Sequence, residues 1–410
     1  MAESAVGVTS RVTTNGHRDD FEAAVRRFNA FGSSTVCQGD AGVPYYINEF
    51  WTAGQRQAHA LHEISYRACF KPQLPGFFID RLTQDSDSVY DPFMGRGTTP
   101  VQAALQGRRP MGNDINPLSV LLTRPRLTPP TLAAIEQSLA AVSWRTGEID
   151  RDDLLTFYHP DTLRQICALR RHLLQHAPLK EDAAPALDWI RMVALNRLTG
   201  HSPGFFSVYS LPPNQAVSVD AQRKINAKRG QTPPLRDVAQ LILKKSRALL
   251  SEGAPPSYPT PQLVTGPAWR TPAIVDATVD LIVTSPPFLD VVQYAQDNWL
   301  RNWFAGVDDG AVEISAHRSV DAWTRMVRDC LEEFARIMRS GGHVAFEVGE
   351  VRRGAVLLER QVWAAAAGLP FERRFVLVNQ QEFTKTSNCW GVANNSKGTN
   401  TNRIVVLRRH

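Results

Sequence analysis

The sequence is poor in cysteine and shows no metal-binding pattern. Its five cysteines are widely spaced and form no Cys-x-x-Cys pair and no cluster with histidine: Cys37, Cys69, Cys167, Cys330 and Cys389. An odd number of scattered cysteines favours neither a disulfide framework nor a zinc site. We therefore expect no bound metal and a reducing, intracellular compartment.

Long apolar stretches are also missing, and with them the sequence signals for a membrane. No run of about 18 apolar residues occurs, and the N-terminus lacks the charged start and apolar core of a signal peptide. The sequence therefore predicts a soluble, cytoplasmic protein without a membrane partner. Its 46 Lys and Arg against 40 Asp and Glu give a net charge of +6, which suits a polyanionic partner.

The 410-residue chain has an ordinary globular composition and divides into four regions by its pattern. Residues 1–44 are polar and aperiodic, which predicts a flexible N-terminal extension with at most a short helix over FEAAVRRFNAF. Residues 45–125 and 267–410 alternate strand and helix patterns, whereas residues 126–266 carry amphipathic helical stretches. We predict an α/β fold, a doubly wound sheet interrupted by a mostly helical inserted domain.

The stretch SVYDPFMGRGTTP, residues 88–100, places Asp91 at the end of a predicted strand and Gly95 and Gly97 before a helix. Ligands of open α/β sheets bind at this edge, where glycines allow close approach and helix N–H groups attract an anion. Asp114 follows about 20 residues later, where an acid can accept hydrogen bonds from ribose. Since no GxGxxG or GK[ST] spacing is present, the pattern favours a nucleoside with a small zwitterionic tail. A plain strand-to-helix turn is the alternative.

Three segments together, DPFMGRGTTP, GRRPMGNDINP and DLIVTSPPF, resemble the S-adenosylmethionine-dependent amino-methyltransferases that act on exocyclic nitrogens of DNA bases. Serine before two prolines and an aromatic is similar to the cytosine-N4 branch, whereas adenine-N6 members usually have Asp or Asn there. The resemblance covers residues 45–125 and 275–410. It implies a Rossmann-like class I methyltransferase fold, S-adenosyl-L-methionine as cofactor and DNA as partner, and it leaves open a cognate restriction endonuclease.

The resemblance also implies a set of cofactor-binding residues. Asp91, Phe93, Gly95 and Gly97 would hold the methionine end, and Asp114 the ribose. The segment FKPQLP, which precedes the Gly-rich strand, would line the same pocket. The complete set is Phe70, Lys71, Pro72, Asp91, Pro92, Phe93, Gly95, Gly97, Thr98, Asp114 and Asn116. The acid that relatives often carry after the third strand is missing from LVTGPAWRTP, which leaves Trp269 as the candidate for the adenine side.

Ser285, Pro286, Pro287 and Phe288 are the catalytic residues that the resemblance implies. Exocyclic amines of bases are poor nucleophiles, because the nitrogen lone pair is delocalised into the ring. The Ser285 hydroxyl and the Pro286 carbonyl are acceptors that could hold the amine in line with the methyl group, with Phe288 stacked on the base. Methylation of a ring carbon is disfavoured, since it needs a thiolate and no cysteine here follows a proline. Prolines that merely end a strand are the alternative.

Two further segments are candidates for contact with DNA. The inserted region carries QRKINAKRG, with Arg223, Lys224, Lys228 and Arg229, after an aromatic stretch with Phe205, Phe206 and Tyr209. The polar stretch before the last strand adds Lys385, Trp390 and Arg403. Basic residues beside aromatics suit phosphate contact and base stacking, although a solvated helix face and an ordinary polar loop are the alternatives.

These observations predict methyl transfer from S-adenosylmethionine to the N4 amine of a cytosine within a specific DNA sequence. The base would have to leave the duplex, because an amine inside the helix is unreachable. Adenine-N6 methylation, an RNA target and a catalytically silent nucleic-acid-binding subunit remain as alternatives.

Overall fold

The computed structural model describes residues 20–52, 58–66, 69–179, 183–211, 216–256, 261–289, 297–308, 319–351, 355–380 and 401–410. The strands are β1 Val36–Asp40, β2 Val43–Asn48, β3 Ser88–Asp91, β4 Arg109–Asp114, β5 Gln262–Thr265, β6 Val279–Thr284, β7 Met338–Val348, β8 Glu350–Val351, β9 Val356–Leu357, β10 Phe371–Gln380 and β11 Thr401–Arg409. The α-helices are α1 Phe21–Arg26, α2 Gln73–Leu82, α3 Thr98–Leu105, α4 Pro117–Leu127, α5 Leu132–Ala140, α6 Pro160–His176, α7 Pro185–Leu195, α8 Val219–Arg229, α9 Val238–Leu249, α10 Trp299–Ala305, α11 Val320–Ile337 and α12 Leu358–Ala365.

Nine strands form one sheet in the order β1-β2-β10-β11-β7-β6-β3-β4-β5. The strands from β7 through β6, β3 and β4 to β5 are parallel, and β11 lies antiparallel between β7 and β10. The chain winds outward from β3 to β5 and then returns to β6 on the other side of β3. The crevice between the carboxyl ends of β3 and β6 is therefore the topological switch point, where ligands of such sheets bind. The predicted Rossmann-like, doubly wound α/β fold is confirmed.

Both faces of the central parallel strands β3 and β6 are buried, as helices cover a parallel sheet on each side. In β6, all six residues are buried. Tyr90 and Ile282 point to a core that contains α11 and α12, whereas Val89 and Leu281 point to one that contains α2. This alternation is the two-residue period of a strand, and it holds β3 and β6 in fixed register.

The N-terminal region is more ordered than the sequence predicts. Phe21 and Val25 of α1 are buried in the core, and Phe21 packs against Phe77, Phe78 and Phe375. Strands β1 and β2 form an antiparallel hairpin, and β2 pairs in parallel with β10. The prediction of a flexible extension over residues 1–44 is therefore wrong for residues 20–44, while residues 1–19 lie outside the described residues. Every residue of β1 is exposed at the sheet edge, so its sequence carries no hydrophobic alternation.

Helices fill most of the described chain between β4 and β5, and β5 itself lies within the predicted bounds of the helical insertion, residues 126–266. Helices α4 to α9 pack into a core that also includes Val101 of α3 and Phe304 of α10. The insertion thus continues the helical layer over the sheet. Among the described residues, no helix combines the length and the apolar character needed to cross a bilayer. No cluster of three or more His, Cys, Asp or Glu side chains in those same ranges is arranged to hold a metal ion.

Candidate active site

The Gly-rich turn and the Ser-Pro-Pro-Phe segment meet at the switch point. Strands β3 and β6 are neighbours, with Val89 opposite Leu281 and Tyr90 opposite Ile282. At their carboxyl ends, the Thr284 hydroxyl donates a hydrogen bond of 2.7 Å to Oδ1 of Asp91. The two motifs, 193 positions apart, are therefore joined by a direct contact of side chains in the core.

The carboxyl of Asp91 is fully buried at the base of the turn. Its Oδ1 also accepts a hydrogen bond of 3.1 Å from the backbone N–H of Phe93. Burial raises the pKa of Asp91 to about 7, and the hydrogen bonds from Thr284 and from the Phe93 N–H act against that rise. A cationic group placed beside this carboxyl would lower its pKa and favour the charged form.

The two glycines of the turn have different functions. Both adopt left-handed backbone conformations, with φ of 49° at Gly95 and 75° at Gly97. A Cβ at Gly97 would overlap the side chain of Thr123 on α4, so glycine here allows close packing of the turn on the helix. A Cβ at Gly95 would instead lie 3.4 Å from Sγ of Cys69 and 3.7 Å from the ring of Tyr66. Cys69 and Tyr66 therefore line the turn at Gly95.

Asp114 stabilises the turn from the end of β4. Its Oδ2 accepts a hydrogen bond of 2.8 Å from the Gly95 N–H, and its Oδ1 accepts one of 2.9 Å from the Asn116 N–H. Burial raises the pKa of Asp114, and these two bonds oppose that rise. The Asn116 side chain in turn caps α4 by accepting from the N–H of Leu118. Each carboxylate oxygen can accept a further hydrogen bond, which leaves room for one from a ribose hydroxyl. A contact between Asp114 and a ribose stays a prediction.

Pro92 and Thr98 are held by polar side chains of neighbouring elements. Asn113 donates hydrogen bonds of 3.2 Å to the Pro92 carbonyl and 2.9 Å to the Gly266 carbonyl, which links the turn to the loop after β5. Thr98, the first residue of α3, accepts a hydrogen bond of 3.1 Å from Nε of Arg96. The predicted cofactor residues of the turn are thus fixed in place by the protein itself.

The segment Phe70, Lys71 and Pro72, which the resemblance assigns to the cofactor pocket, lies beside the turn. Arg96 donates to the carbonyl oxygens of Ile64, at 2.8 Å, and of Phe70, at 3.3 Å. Burial and the charge of Arg96 lower the pKa of Lys71. Pro72 is buried directly before α2. Arg96 therefore holds this segment against the Gly-rich turn.

The Ser285 hydroxyl donates a hydrogen bond to Glu347 of the neighbouring strand β7. Thr284 and Phe346 are opposite each other in the sheet, which brings the next residue of each strand together at its carboxyl end. Nδ2 of Asn402 on β11 also donates to Glu347, at 3.0 Å from Oε1. Burial raises the pKa of Glu347, and the bonds from Ser285 and Asn402 act against the rise.

The Ser-Pro-Pro-Phe segment is fixed from the side of α11. Nε1 of the buried Trp323 donates a hydrogen bond of 2.9 Å to the Pro287 carbonyl. Phe288 is half-buried, and a Cβ on Gly349 would lie 2.7 Å from its ring. Gly349 thus makes room for this aromatic ring. The rigid loop that the two prolines predict is held by contacts on both sides of its second half.

The four basic residues predicted to contact DNA in the insertion are exposed on α8: Arg223, Lys224, Lys228 and Arg229. Helix α8 is connected to the start of α10, the helix that follows the Ser-Pro-Pro-Phe segment. Asn226 donates to the Thr156 carbonyl at 2.8 Å, and the next residue, Phe157, contacts Trp299 with 6.1 Å between ring centres. The Ala216 N–H also donates to the Asp297 carbonyl at 3.3 Å. The basic helix is therefore linked, through Thr156 and Phe157, to the helix that follows the Ser-Pro-Pro-Phe segment.

Not every predicted DNA contact is favoured by the structure. Phe205 and Phe206 are buried, which corrects the prediction that they stack on bases. Arg403 is largely buried and forms an ion pair of 3.1 Å with the buried Glu359, which favours a structural function. Lys385 and Trp390 lie outside the described residues.

Three residues of the site were not predicted from the sequence. Glu347 lies in the apolar stretch HVAFEV, where an acid inside a strand pattern is a signal that could have found it. Thr284 has no such signal, because threonine is common in strands. Asn402 lies in a stretch rich in Asn and Thr, and nothing in the sequence distinguishes it from its neighbours.

Comparison with known proteins agrees with this geometry. Residues 40–122 match the N6/N4 methyltransferase family, described as DNA methylase. This range contains β3, the Gly-rich turn and Asp114. This part of the chain is therefore similar to DNA methylases of that family.

Three curated relatives match parts of the chain. The Type II methyltransferase M.MjaII of Methanocaldococcus jannaschii is 31% identical over 97 residues, which are 24% of this chain and 18% of the relative. M.MvaI of Kocuria varians is 30% identical over 107 residues, 25% of this chain and 23% of the relative. M.BsoBI of Geobacillus stearothermophilus is 22% identical over 282 residues, 60% of this chain and 52% of the relative. The chain thus spans about half or less of the length of these relatives.

Proposed function

We propose that the protein transfers a methyl group from S-adenosyl-L-methionine to the exocyclic N4 amine of cytosine in DNA. The observation that carries this proposal is the place of Ser285. It follows Thr284, which is hydrogen-bonded to Asp91 of the Gly-rich turn, and its own hydroxyl is hydrogen-bonded to Glu347. An acceptor for an amine is thus held beside a pocket suited to a nucleoside cofactor.

The residues around the turn fit S-adenosylmethionine. The buried carboxyl of Asp91, with its pKa of about 7, suits the ammonium group of a methionine moiety. The N–H groups of the first turn of α3 suit its carboxylate, and Asp114 would accept from the ribose. Trp269, exposed after β5, remains the candidate for the adenine. When bound, the cofactor supplies a sulfonium methyl group and leaves as a neutral thioether once the carbon–sulfur bond breaks.

Ser285 and Glu347 would together take the proton that the amine must lose. An N–H of the base donates to Oγ of Ser285, which turns the nitrogen lone pair toward the methyl carbon. As the nitrogen–carbon bond forms, the nitrogen becomes positively charged and acidic. Its proton passes to Oγ of Ser285 while the hydroxyl proton passes to Glu347, and from there to solvent. Phe288 would stack on the base, and the Pro286 carbonyl would accept from the second N–H.

The basic helix α8 is the candidate DNA-binding surface. Its four cations are exposed, and the helix is linked to the start of α10 through Thr156 and Phe157. We propose that they bind the phosphates around a flipped-out base. Since the relatives are named Type II methyltransferases, we also propose a cognate restriction endonuclease as partner and the cytoplasm as the compartment.

The test is to identify the methylated nucleoside. The protein is incubated with labelled S-adenosylmethionine and DNA, which is then digested to nucleosides and separated by mass spectrometry. We expect N4-methylcytosine with wild-type protein and none with Ser285→Ala. N6-methyladenine would refute the assignment of the base, and transfer to RNA alone would refute DNA as substrate. Cofactor binding without any transfer would indicate a silent subunit.

A further inference from the structure

Three buried arginines bind carbonyl oxygens of the segment that faces the Gly-rich turn. We call residues 61–66 the cofactor-side segment. Arg126 of α4 donates to the Leu61 carbonyl at 3.0 Å, Arg96 to that of Ile64 at 2.8 Å, and Arg301 to that of Ser65 at 2.9 Å. Arg96 and Arg126 come from the Gly-rich turn and the helix it packs on. Arg301 comes from α10, which follows the catalytic motif in the chain.

Arg301 is oriented by two hydrogen bonds and a ring. It is 8% exposed, and its second donor nitrogen binds Oδ1 of Asn298 at 2.9 Å. Its guanidinium carbon lies 5.6 Å from the centre of the Tyr66 ring, within range of a cation–π interaction. Arg301 therefore contacts both the backbone at Ser65 and the side chain of the next residue.

Tyr66 in turn contacts the Gly-rich turn. Its ring lies 3.7 Å from the place where Gly95 would carry a Cβ, and Gly95 itself donates to Asp114. A continuous set of contacts thus runs from Arg301 through Tyr66 to Gly95, the residue at which the backbone would come closest to the cofactor. A displaced Tyr66 would change the shape of the pocket at this point.

We propose that Arg301 is a positioning residue that holds Tyr66 and the cofactor-side segment against Gly95, and so sets the affinity for the nucleoside cofactor. This inference rests on the proposed function, because it takes the pocket at Gly95 to be the cofactor site. It gives the catalytic half of the chain a part in binding the cofactor, through a residue that touches neither the cofactor nor the base.

The test compares Arg301→Met with a matched control, an arginine of α6 that binds the same helix α10. Arg170 of α6 donates a hydrogen bond of 2.8 Å to the Trp303 carbonyl of α10, and its guanidinium lies 5.2 Å from the Trp303 ring. Arg170→Met therefore removes a similar bond and a similar ring contact, but not from the cofactor-side segment. Calorimetric titration with S-adenosylmethionine should show a dissociation constant raised about 10-fold or more for Arg301→Met. It should be unchanged for Arg170→Met and intermediate for Arg301→Lys.

Kinetics separates positioning from a general loss of structure. For Arg301→Met we expect a higher KM for S-adenosylmethionine, with kcat at saturating cofactor and KM for DNA unchanged. Wild-type protein that does not bind S-adenosylmethionine would refute the proposed function. Wild-type protein that binds it, together with Arg301→Met that binds it equally well, would refute the positioning of Tyr66 by Arg301.

If Arg301→Met fails to fold, hydrogen exchange of the wild-type protein tests whether α10 and the cofactor-side segment respond to the cofactor together. S-adenosylmethionine should slow amide exchange in the cofactor-side segment and in α10 together. Protection confined to the Gly-rich turn would refute the inference.

Discussion

The hydrogen bond between Thr284 and Asp91 makes a prediction about stability that does not depend on the proposed activity. Both side chains are buried, at 0% and 1% exposure, so solvent cannot replace the bond. Thr284→Val removes the hydroxyl while keeping nearly the same shape. The variant therefore takes a donor away from a buried carboxyl and changes little else.

The size of the effect depends on the charge of Asp91. A hydrogen bond to a charged group contributes about 1.5 to 3 kcal/mol, and one between neutral groups about 0.5 to 1.5 kcal/mol. Since the pKa of Asp91 is about 7, the carboxyl is mainly charged at alkaline pH and mainly protonated at acidic pH. We therefore expect Thr284→Val to lower the free energy of unfolding by about 2 to 3 kcal/mol near pH 8.5 and by about 1 kcal/mol near pH 5.5.

The sign of the pH dependence follows from proton binding. The folded pKa of Asp91 lies above its ordinary value, so the native state holds a proton that the unfolded chain has already released. The contribution of Asp91 to stability is therefore present at acidic pH and is lost as pH rises toward about 7. Loss of the Thr284 donor raises this pKa further, so the decline should extend to higher pH in the variant.

Urea unfolding at the two pH values measures the difference. Equal denaturant slopes for wild type and variant would show that the midpoints report stability alone. Thr284→Ser, which keeps the hydroxyl, is the control. Its free energy of unfolding should change between the two pH values as that of wild type does. An equal loss at both pH values, or no loss at all, would refute the hydrogen bond as a contact with a titrating carboxyl.

Three further predictions concern the site. Because the pKa of Glu347 is raised, the kcat of wild type should rise with pH as this carboxyl loses its proton. Glu347→Gln should slow methyl transfer about 100-fold and abolish that rise. An unchanged pH–rate profile would exclude Glu347 as the proton acceptor. Asp114→Ala should weaken cofactor binding in calorimetry, because it loses the bond to the Gly95 N–H as well as any bond to ribose; Asp153→Ala, in the insertion, is the control. The third variant replaces the four exposed cations of α8 by Gln: Arg223, Lys224, Lys228 and Arg229. It should reduce the slope of log affinity for DNA against log salt by about one for each phosphate that the helix no longer binds. An unchanged slope would show that these side chains touch no phosphate.

The parts of the site that follow directly after core strands were predictable from the sequence. Asp91 and Ser285 each end an apolar stretch, and the carboxyl ends of parallel strands meet at one edge of the sheet. The sequence therefore indicates that the two motifs are near each other. Strand order decides that they are direct neighbours, because β6 pairs with β3 only after the chain has crossed back from β5. The bond between Thr284 and Asp91 depends on that pairing.

The missed elements share a different cause. Strand β1 lies at the sheet edge with all residues exposed, so burial leaves no period in its sequence. Its partner β2 is predictable only through β10, which lies more than 300 residues later in the chain. An edge hairpin of this kind forms because it pairs with the sheet that it joins. Its own residues are compatible with an extended conformation but do not predict one.

The arginines that hold the cofactor-side segment show the same limit at the level of single side chains. Arg96, Arg126 and Arg301 bind backbone carbonyl oxygens, which every residue possesses, so no partner residue type can be sought in the sequence. A salt bridge between side chains leaves two complementary residues as a signal, whereas a bond to a carbonyl leaves one arginine in an apolar pattern. Burial of a guanidinium is costly unless its donors are satisfied. An arginine within a buried stretch, such as Arg301 in NWLRNWF, is therefore itself evidence that a carbonyl or an acid from elsewhere in the fold must reach it.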